Sequence, residues 1–316
     1  MSSPPRNRAR WLIVAVMVAG LPRAPPSAQR RQRHAGSTGE CRPWRAALVA
    51  VVSAIAFASA LSCAGCYDFG ALAPVDGGDD PCAASSVTSG PGILVAGCVI
   101  GAPPLIDGKL DDWSAAAFTV LDRANAAFVD GTASFTGTTA IDDADSSGSF
   151  AVRWDLNALY VAVKVTDDVR GLHPTETHYW LDDAVEVFLD GDGARTAGYN
   201  SDDHQLIVRA DGQMQETRNE IPVPLPPGTV VAVAVASGGA ASWTLELAVP
   251  FADLGDAAVH GGRELGFDLL IDDDDSLNTS DRKHLLGWVN LLAGASPCPA
   301  PYCSTAAFGR VVLGGR

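Results

Sequence analysis

The sequence lacks most of what marks a helical, membrane-spanning or catalytic chain. No helical period persists beyond one or two turns, which argues against a bundle or an α/β fold. The two apolar runs, 11–21 and 46–61, fall short of the about 20 residues that a spanning helix needs. The spacings Gly-x-Ser-x-Gly and His-Glu-x-x-His and the phosphate-binding loop are absent, so hydrolase, metalloprotease and nucleotide signatures are excluded. Glycine (32) and proline (20) stay below the excess of collagen-like or low-complexity chains. Basic residues are scarce after position 62, with 13 against 36 acids. So acidic a body repels phosphate backbones, which excludes nucleic acid as a partner, and attracts cations, Ca²⁺ foremost. What is present is 47% apolar residues in 316, enough for one large domain or two modest ones.

Residues 1–62 reverse the charge, with nine Arg, no Lys and the single acid Glu40. Each apolar run follows basic residues, and the second ends in small residues and a cysteine pair, Ser59-Ala-Leu-Ser-Cys63-Ala-Gly-Cys66. A basic flank, a short apolar segment and small residues before a cleavage point describe an export signal. The cysteines resemble a bacterial lipoprotein lipobox, which implies acylation and anchoring at the cell envelope. Cysteine parity favours Cys66, because it leaves Cys82, Cys98, Cys298 and Cys303; Cys63 fits the box consensus slightly better and is the alternative. Residues 1–66 are therefore assigned to targeting.

In an oxidising compartment the four remaining cysteines can pair. Local pairing, Cys82 with Cys98 and Cys298 with Cys303, is the natural choice among three connectivities. Residues 67–103, dominated by Gly, Ala, Pro, Ser and Asp with one apolar patch at Ile93–Val95, read as a flexible linker.

From Pro104 the pattern changes to a period of two. Phe150–Trp154, Leu159–Val165, Ala184–Leu189, His204–Arg209, Trp243–Val249 and Leu265–Ile271 alternate, with Val230–Ala236 and Val311–Leu313 as further strands. Pro250–Leu254 is the best helical candidate, and Gly131–Ser149 reads as a polar surface loop. Many short strands divided by turn signals imply an all-β, antiparallel two-sheet β-sandwich over 104–316.

The ordered segments resemble carbohydrate-binding module family 9 and its DOMON-like relatives. They are Ile106-Asp-Gly-Lys-Leu-Asp-Asp-Trp113, the hairpin Val152–Asp167, Trp180-Leu-Asp-Asp-Ala-Val-Glu-Val-Phe-Leu-Asp190, Trp243–Phe251, Gly266–Asp273 and Phe308–Leu313. The resemblance implies a jelly-roll or immunoglobulin-like sandwich without catalytic machinery, a monomer that clamps a sugar ring between aromatic side chains. Trp180 aligns with the first clamp aromatic and Glu186 with a carboxylate that receives hydroxyls. Ile207 stands where binding members carry Arg, with Arg209 two residues on, and Leu270 stands at an amide-bearing position. The second clamp Trp is missing, and Tyr302 is the nearest aromatic. The expected sugar-binding set is therefore Trp180, Glu186, Arg209 and Tyr302.

Asp190 and Asp192 alternate with glycines, and with Asp202 and Asp203 after a short loop they offer oxygen ligands to a structural Ca²⁺. Asp272–Asp275 with Asp281 reads instead as the start of an exposed loop. A glycosidase pair would require facing carboxylates, of which Glu186 and Asp268 are the in-strand candidates. The haem chemistry of some DOMON relatives would need Met214 with one of His173, His178, His204, His260 or His284. Trp154 and Trp243 are expected in the core. The combined expectation is an exported, non-catalytic saccharide-binding protein linked to polysaccharide catabolism; the alternative is a surface scaffold with the same fold and no sugar site.

Overall fold

Alternating apolar residues over five to ten positions, punctuated by Asp, Gly and Asn, form strands that bury one face. A computed structural model describes residues 82, 86–113, 118–130, 142–236, 241–276, 282–289 and 300–315, all within one unit, Leu72–Arg316. The targeting segment, Cys63, Cys66, Asp281 and Cys298 lie outside the described residues.

The strands are β1 (Ile93–Cys98), β2 (Thr119–Leu121), β3 (Phe128–Asp130), β4 (Ser146–Trp154), β5 (Ala158–Asp167), β6 (Ala184–Asp190) and β7 (Asp203–Arg209). They continue with β8 (Met214–Arg218), β9 (Ile221–Val223), β10 (Val230–Val235), β11 (Trp243–Pro250), β12 (Glu264–Asp273), β13 (His284–Gly287) and β14 (Gly309–Leu313). One layer runs β10-β11-β5-β4, with β2 on the far edge of β4. The other runs β14-β12-β6-β7-β8-β9, with β13 sharing an edge of β12 and β3 beyond it. The two-layer β-sandwich expected from the strand pattern is the observed architecture.

β1 joins the layers. Its residues 93–96 pair with Arg310–Leu313 of β14, and its last two pair with Arg153 and Trp154 of β4. Both pairings are parallel, whereas every other strand pairing among the described residues is antiparallel. β1 also lies inside the 67–103 stretch expected to be a flexible linker. The Ile93–Val95 patch is the physical reason, since Leu94 and Ala96 pack into the core. A Cys82–Cys98 disulfide ties down the end of this strand, as local pairing anticipated, and Cys303 is disulfide-bonded as well.

Two further expectations change. Pro250–Leu254 holds one 3₁₀ turn, Phe251–Asp253, rather than an α-helix. The polar loop expected over 131–149 is shorter, because Ser146–Ser149 already pair with Lys164–Asp167 in β4 and β5.

Between the layers, Leu159, Val161 and Val163 of β5 face Val185, Val187 and Leu189 of β6 and Phe267 and Leu269 of β12. Trp154 and Trp243 are buried as expected, and Trp288 packs against Phe150 and Phe267 at centroid distances of 5.5 and 5.7 Å. Such aromatic pairs contribute about 0.5–1.5 kcal/mol each beyond their buried area. The opening motif has its own anchor. Glu246 of β11 accepts from the Trp113 indole at 2.6 Å and from the backbone N–H groups of Asp107 and Gly108 at 2.9 and 2.8 Å.

Candidate functional site

Period-two alternation sends Val185, Val187 and Leu189 inward, so Glu186 and Phe188 face outward from β6. The same rule puts Gln205, Ile207 and Arg209 of β7 and Asp268, Leu270 and Asp272 of β12 on that outer face. This face is roofed in part. Phe188, Leu270, Leu285 and Phe308 form a second apolar cluster, against which Tyr199 and Tyr302 pack. The Tyr199 hydroxyl donates to the Pro301 carbonyl at 2.8 Å and so holds the turn that carries Tyr302.

At the margin of this roof lies a cavity of about 240 Å³, lined by Trp180, Leu181, Glu186, Gln205, Glu220, Arg282 and Tyr302. Three of the four residues expected to bind sugar thus meet in one hollow. Trp180 is half-buried, with the His178 ring set edge-on at 4.9 Å. It rides on the 3₁₀ turn Tyr179–Leu181, where the N–H of Leu181 donates to the carbonyl of His178.

The floor is polar and almost fully paired. Gln205 donates its amide to Glu186 Oε2 and accepts from the Thr217 hydroxyl at 2.8 Å. Arg282 Nη1 donates to Asp272 Oδ1 at 2.6 Å and to Glu186 Oε1 at 3.3 Å. Burial pushes the Glu186 carboxyl above its ordinary value, with Arg282 pulling the other way. Burial, and next the Glu186 charge, lift Asp272 well above the carboxylate range. Two buried acids sharing one guanidinium therefore favour a bound proton between them.

Arg209 does not line this cavity. It is buried, donates to Asp182 Oδ2 at 3.0 Å and to Asp211, and lies 4.9 Å from the Tyr179 ring centroid. Its contacts hold the chain on either side of Trp180 rather than the hollow itself. Gln205 and Arg282 occupy the floor instead, and sequence reasoning missed both. Gln205 shows the outward parity of β7, which would have been a signal. Arg282 sits in a charged Asp-Arg-Lys-His stretch that carries none.

The acids expected to hold Ca²⁺ divide. Ligand oxygens of Asp190, Asp192 and Asp202 lie within 4.8 Å of one another. Asp203 is fully buried beside them; one of its oxygens accepts from the Asn200 N–H, while Oδ1 has no hydrogen-bond partner, nor has Asp190 Oδ1. Burial, with repulsion from Asp190, Asp202 and Asp192, pushes Asp203 up to about 6. The acids Asp272–Asp274, expected to open an exposed loop, are all buried, because β12 continues through Asp273. Asp268 uses Oδ1 to accept from the N–H groups of Leu269 and Val289. Met214 packs against the core.

A β-sandwich whose hollow is lined by a half-buried tryptophan together with carboxylate, amide and guanidinium groups has the makings of a carbohydrate-binding module. The family model described as carbohydrate family 9 binding domain-like matches residues 106–316, and the chain belongs to that family. It is 27% identical over 225 residues to exoglucanase XynX of Acetivibrio thermocellus, covering 70% of this chain and 17% of that protein. It is 32% identical over 118 residues to endo-1,4-β-xylanase A of Thermotoga maritima, covering 37% of this chain and 10% of that protein. The chain therefore spans a small fraction of the length of these curated relatives. A family 9 carbohydrate-binding module from Caldicellulosiruptor kristjanssonii, solved with cellotriose and with glucose, shares the fold at a TM-score of 0.53 and 19% identity. That match covers 71% of this chain and 94% of the cellotriose-bound one. Among the described residues no helix is long and apolar enough to cross a membrane.

Proposed function

We propose that this protein is a non-catalytic, exported module that binds a neutral saccharide at the Trp180 hollow and serves polysaccharide breakdown. One observation carries the reading: the half-buried Trp180 lines one hollow together with Glu186, Gln205, Arg282 and Tyr302. A pyranose presents an apolar C–H face that suits an aromatic plane, and its hydroxyls suit carboxylate, amide and guanidinium groups. The volume lies below the about 300–1,000 Å³ of pockets for drug-sized ligands, which favours one sugar unit over a longer chain segment. One stacking plane and a few hydrogen bonds support affinity on the order of 10 µM to 1 mM.

The test is calorimetric titration of the full chain with glucose, cellobiose and xylobiose, repeated with Trp180→Ala. Binding that disappears in the variant supports the reading. No heat with any of these sugars, followed by a blank glycan screen, would leave a surface scaffold that keeps the fold without the site; the prior engagement of both Glu186 oxygens is the observation that favours that second reading.

Three further assignments belong to this reading. Acylation at Cys66, or at Cys63, would display the module on the bacterial cell envelope; labelling cells with a fatty-acid probe and substituting each cysteine tests this. A Ca²⁺ ion held by Asp190, Asp192 and Asp202, with Asp203 behind, would be structural. The protein would act as a monomer.

A further inference from the structure

At one end of the sandwich β4 begins, β5 ends, β12 ends and β13 begins. Register fixes this meeting, since Ser146 pairs with Asp167 across β4 and β5, and Asp273 pairs with His284 across β12 and β13. One layer sends Asp145, just before β4, and Asp168, just after β5. The other sends Asp273, Asp275 and His284. Ligand atoms of Asp145, Asp273 and His284 lie within 4.8 Å of one another, as do those of Asp145, Asp168 and Asp275.

His284 distinguishes this group from an ordinary charged edge. Its residue is 1% exposed, neither ring nitrogen has a hydrogen-bond partner, and Nε2 stands 3.6 Å from Asp145 Oδ2. Asp273 Oδ2 is also buried and unpartnered. Buried polar atoms nearly always find partners, so unpartnered atoms on two of three side chains whose ligand atoms lie within 4.8 Å of one another point to a bound group. The neighbouring group His173, Asp182 and Asp274 differs, because His173 Nδ1 already bonds Asp182 at 2.9 Å and Asp182 receives Arg209.

We propose that Asp145, Asp273 and His284 bind a divalent transition-metal ion of the Zn²⁺ or Mn²⁺ type, which clips the two layers together. The imidazole selects this class, since Ca²⁺ takes oxygen ligands while mixed imidazole and carboxylate sets suit borderline metals. Asp168 and Asp275 lie close enough to Asp145 to support the ion from outside. Electrostatics agree. Burial, then repulsion from Asp275, Asp168 and Asp142, pushes Asp145 up to about 6. Burial, then Asp275 and Asp145, pushes Asp273 up to about 9. A dication would relieve the repulsion among these acids.

The experiment uses the full chain stripped with chelator, then titrated separately with Zn²⁺ and Mn²⁺ while metal content is measured. The native protein should take up one ion at this site. His284→Gln and Asp145→Asn should each weaken uptake by at least about tenfold, the lower bound known for losing even an outer partner of a ligand. Asp111→Asn, at an exposed acid outside both acidic clusters, should leave it unchanged. Zn²⁺ should also shift the His284 ring resonances of the native protein, a readout that needs no variant to fold. The proposal is overturned if neither ion binds, if both variants bind as the native chain does, or if the His284 resonances stay still at saturating Zn²⁺.

Discussion

Glu186 and Asp272, on the neighbouring strands β6 and β12, share a single guanidinium nitrogen, Nη1 of Arg282. All three side chains are nearly inaccessible to water. Removing one partner of a buried ionic group typically costs about 3–5 kcal/mol, because the remaining charge is left uncompensated. Arg282→Met should therefore destabilise the protein by about that amount near pH 8, measured by urea denaturation. Both carboxyls titrate above their ordinary values, so protonation relieves them first. The loss should shrink at pH 5. An equal loss at the two values would show that the acids are not the groups left stranded.

Glu246 carries a comparable weight at the opposite layer. It has no exposure and accepts from three donors, the Trp113 indole and the backbone of Asp107 and Gly108. An orphaned buried donor costs about 1–3 kcal/mol, so Glu246→Ala should cost on the order of 3 kcal/mol or more. Glu246→Gln keeps one acceptor oxygen and should fall between. Equal denaturation midpoints for the native protein and Glu246→Ala would refute this account of the Ile106–Trp113 motif.

Most of the sandwich was legible because six strands carry the period of two over enough residues to register, and Val230–Ala236 and Val311–Leu313 are rich in valine. β2, β3 and β9 are only three residues long, too short for a period to show. β8 (Met-Gln-Glu-Thr-Arg) has little apolar content. β1 was hidden by its surroundings, since Gly and Pro before it look like a tether until β4 and β14 are known to flank it. The site was half legible. Trp180 and Glu186 belong to one continuous segment, in which the alternation of β6 fixes the face of Glu186 and the 3₁₀ turn just before it carries Trp180. Arg209 shares that parity, but facing outward does not say which acids lie in reach, and Asp182 and Asp211 capture it. Arg282 could not be found, because its role depends on Asp272 arriving from another strand. Runs of acids are normally solvated, which is why Asp272–Asp274 misled; only the pairing of Asp272 and Asp273 with β6 and β13 reveals their burial.

The acidic turn beyond β6 offers a separate test of Ca²⁺. Asp190, Asp192 and Asp202 converge, and two buried oxygens there lack partners. With Ca²⁺ at about 100 times its dissociation constant, a single site adds about 2.7 kcal/mol to stability. The melting temperature should rise on adding Ca²⁺ and fall with chelator, and Asp192→Asn should blunt the response. A melting curve indifferent to both treatments rules the ion out.

The pH dependence of the metal-free protein follows from the same carboxyls. Asp145, Asp167 and Asp203 are raised to about 6, in each case by burial first, with neighbouring Asp residues adding repulsion. Asp273 is raised further, to about 9. Each binds its proton more tightly folded than unfolded, where the ordinary value is 3.8. Their contribution to stability is thus fully present below about pH 4 and is lost as pH climbs through about 6, then 9. Asp211 works in the opposite sense, since Arg209 and Gln213 lower its value despite burial, and its contribution is already in place above pH 4. Chelator-treated protein should therefore melt at progressively lower temperature from pH 5 to pH 8. Divalent cations should cancel most of that decline, because a bound cation replaces the protons that the acids lose. Melting curves across this range, with and without Zn²⁺ and Ca²⁺, measure both effects. A metal-free protein whose melting temperature rises steadily from pH 5 to pH 8 would contradict the assignment of raised values to these buried acids.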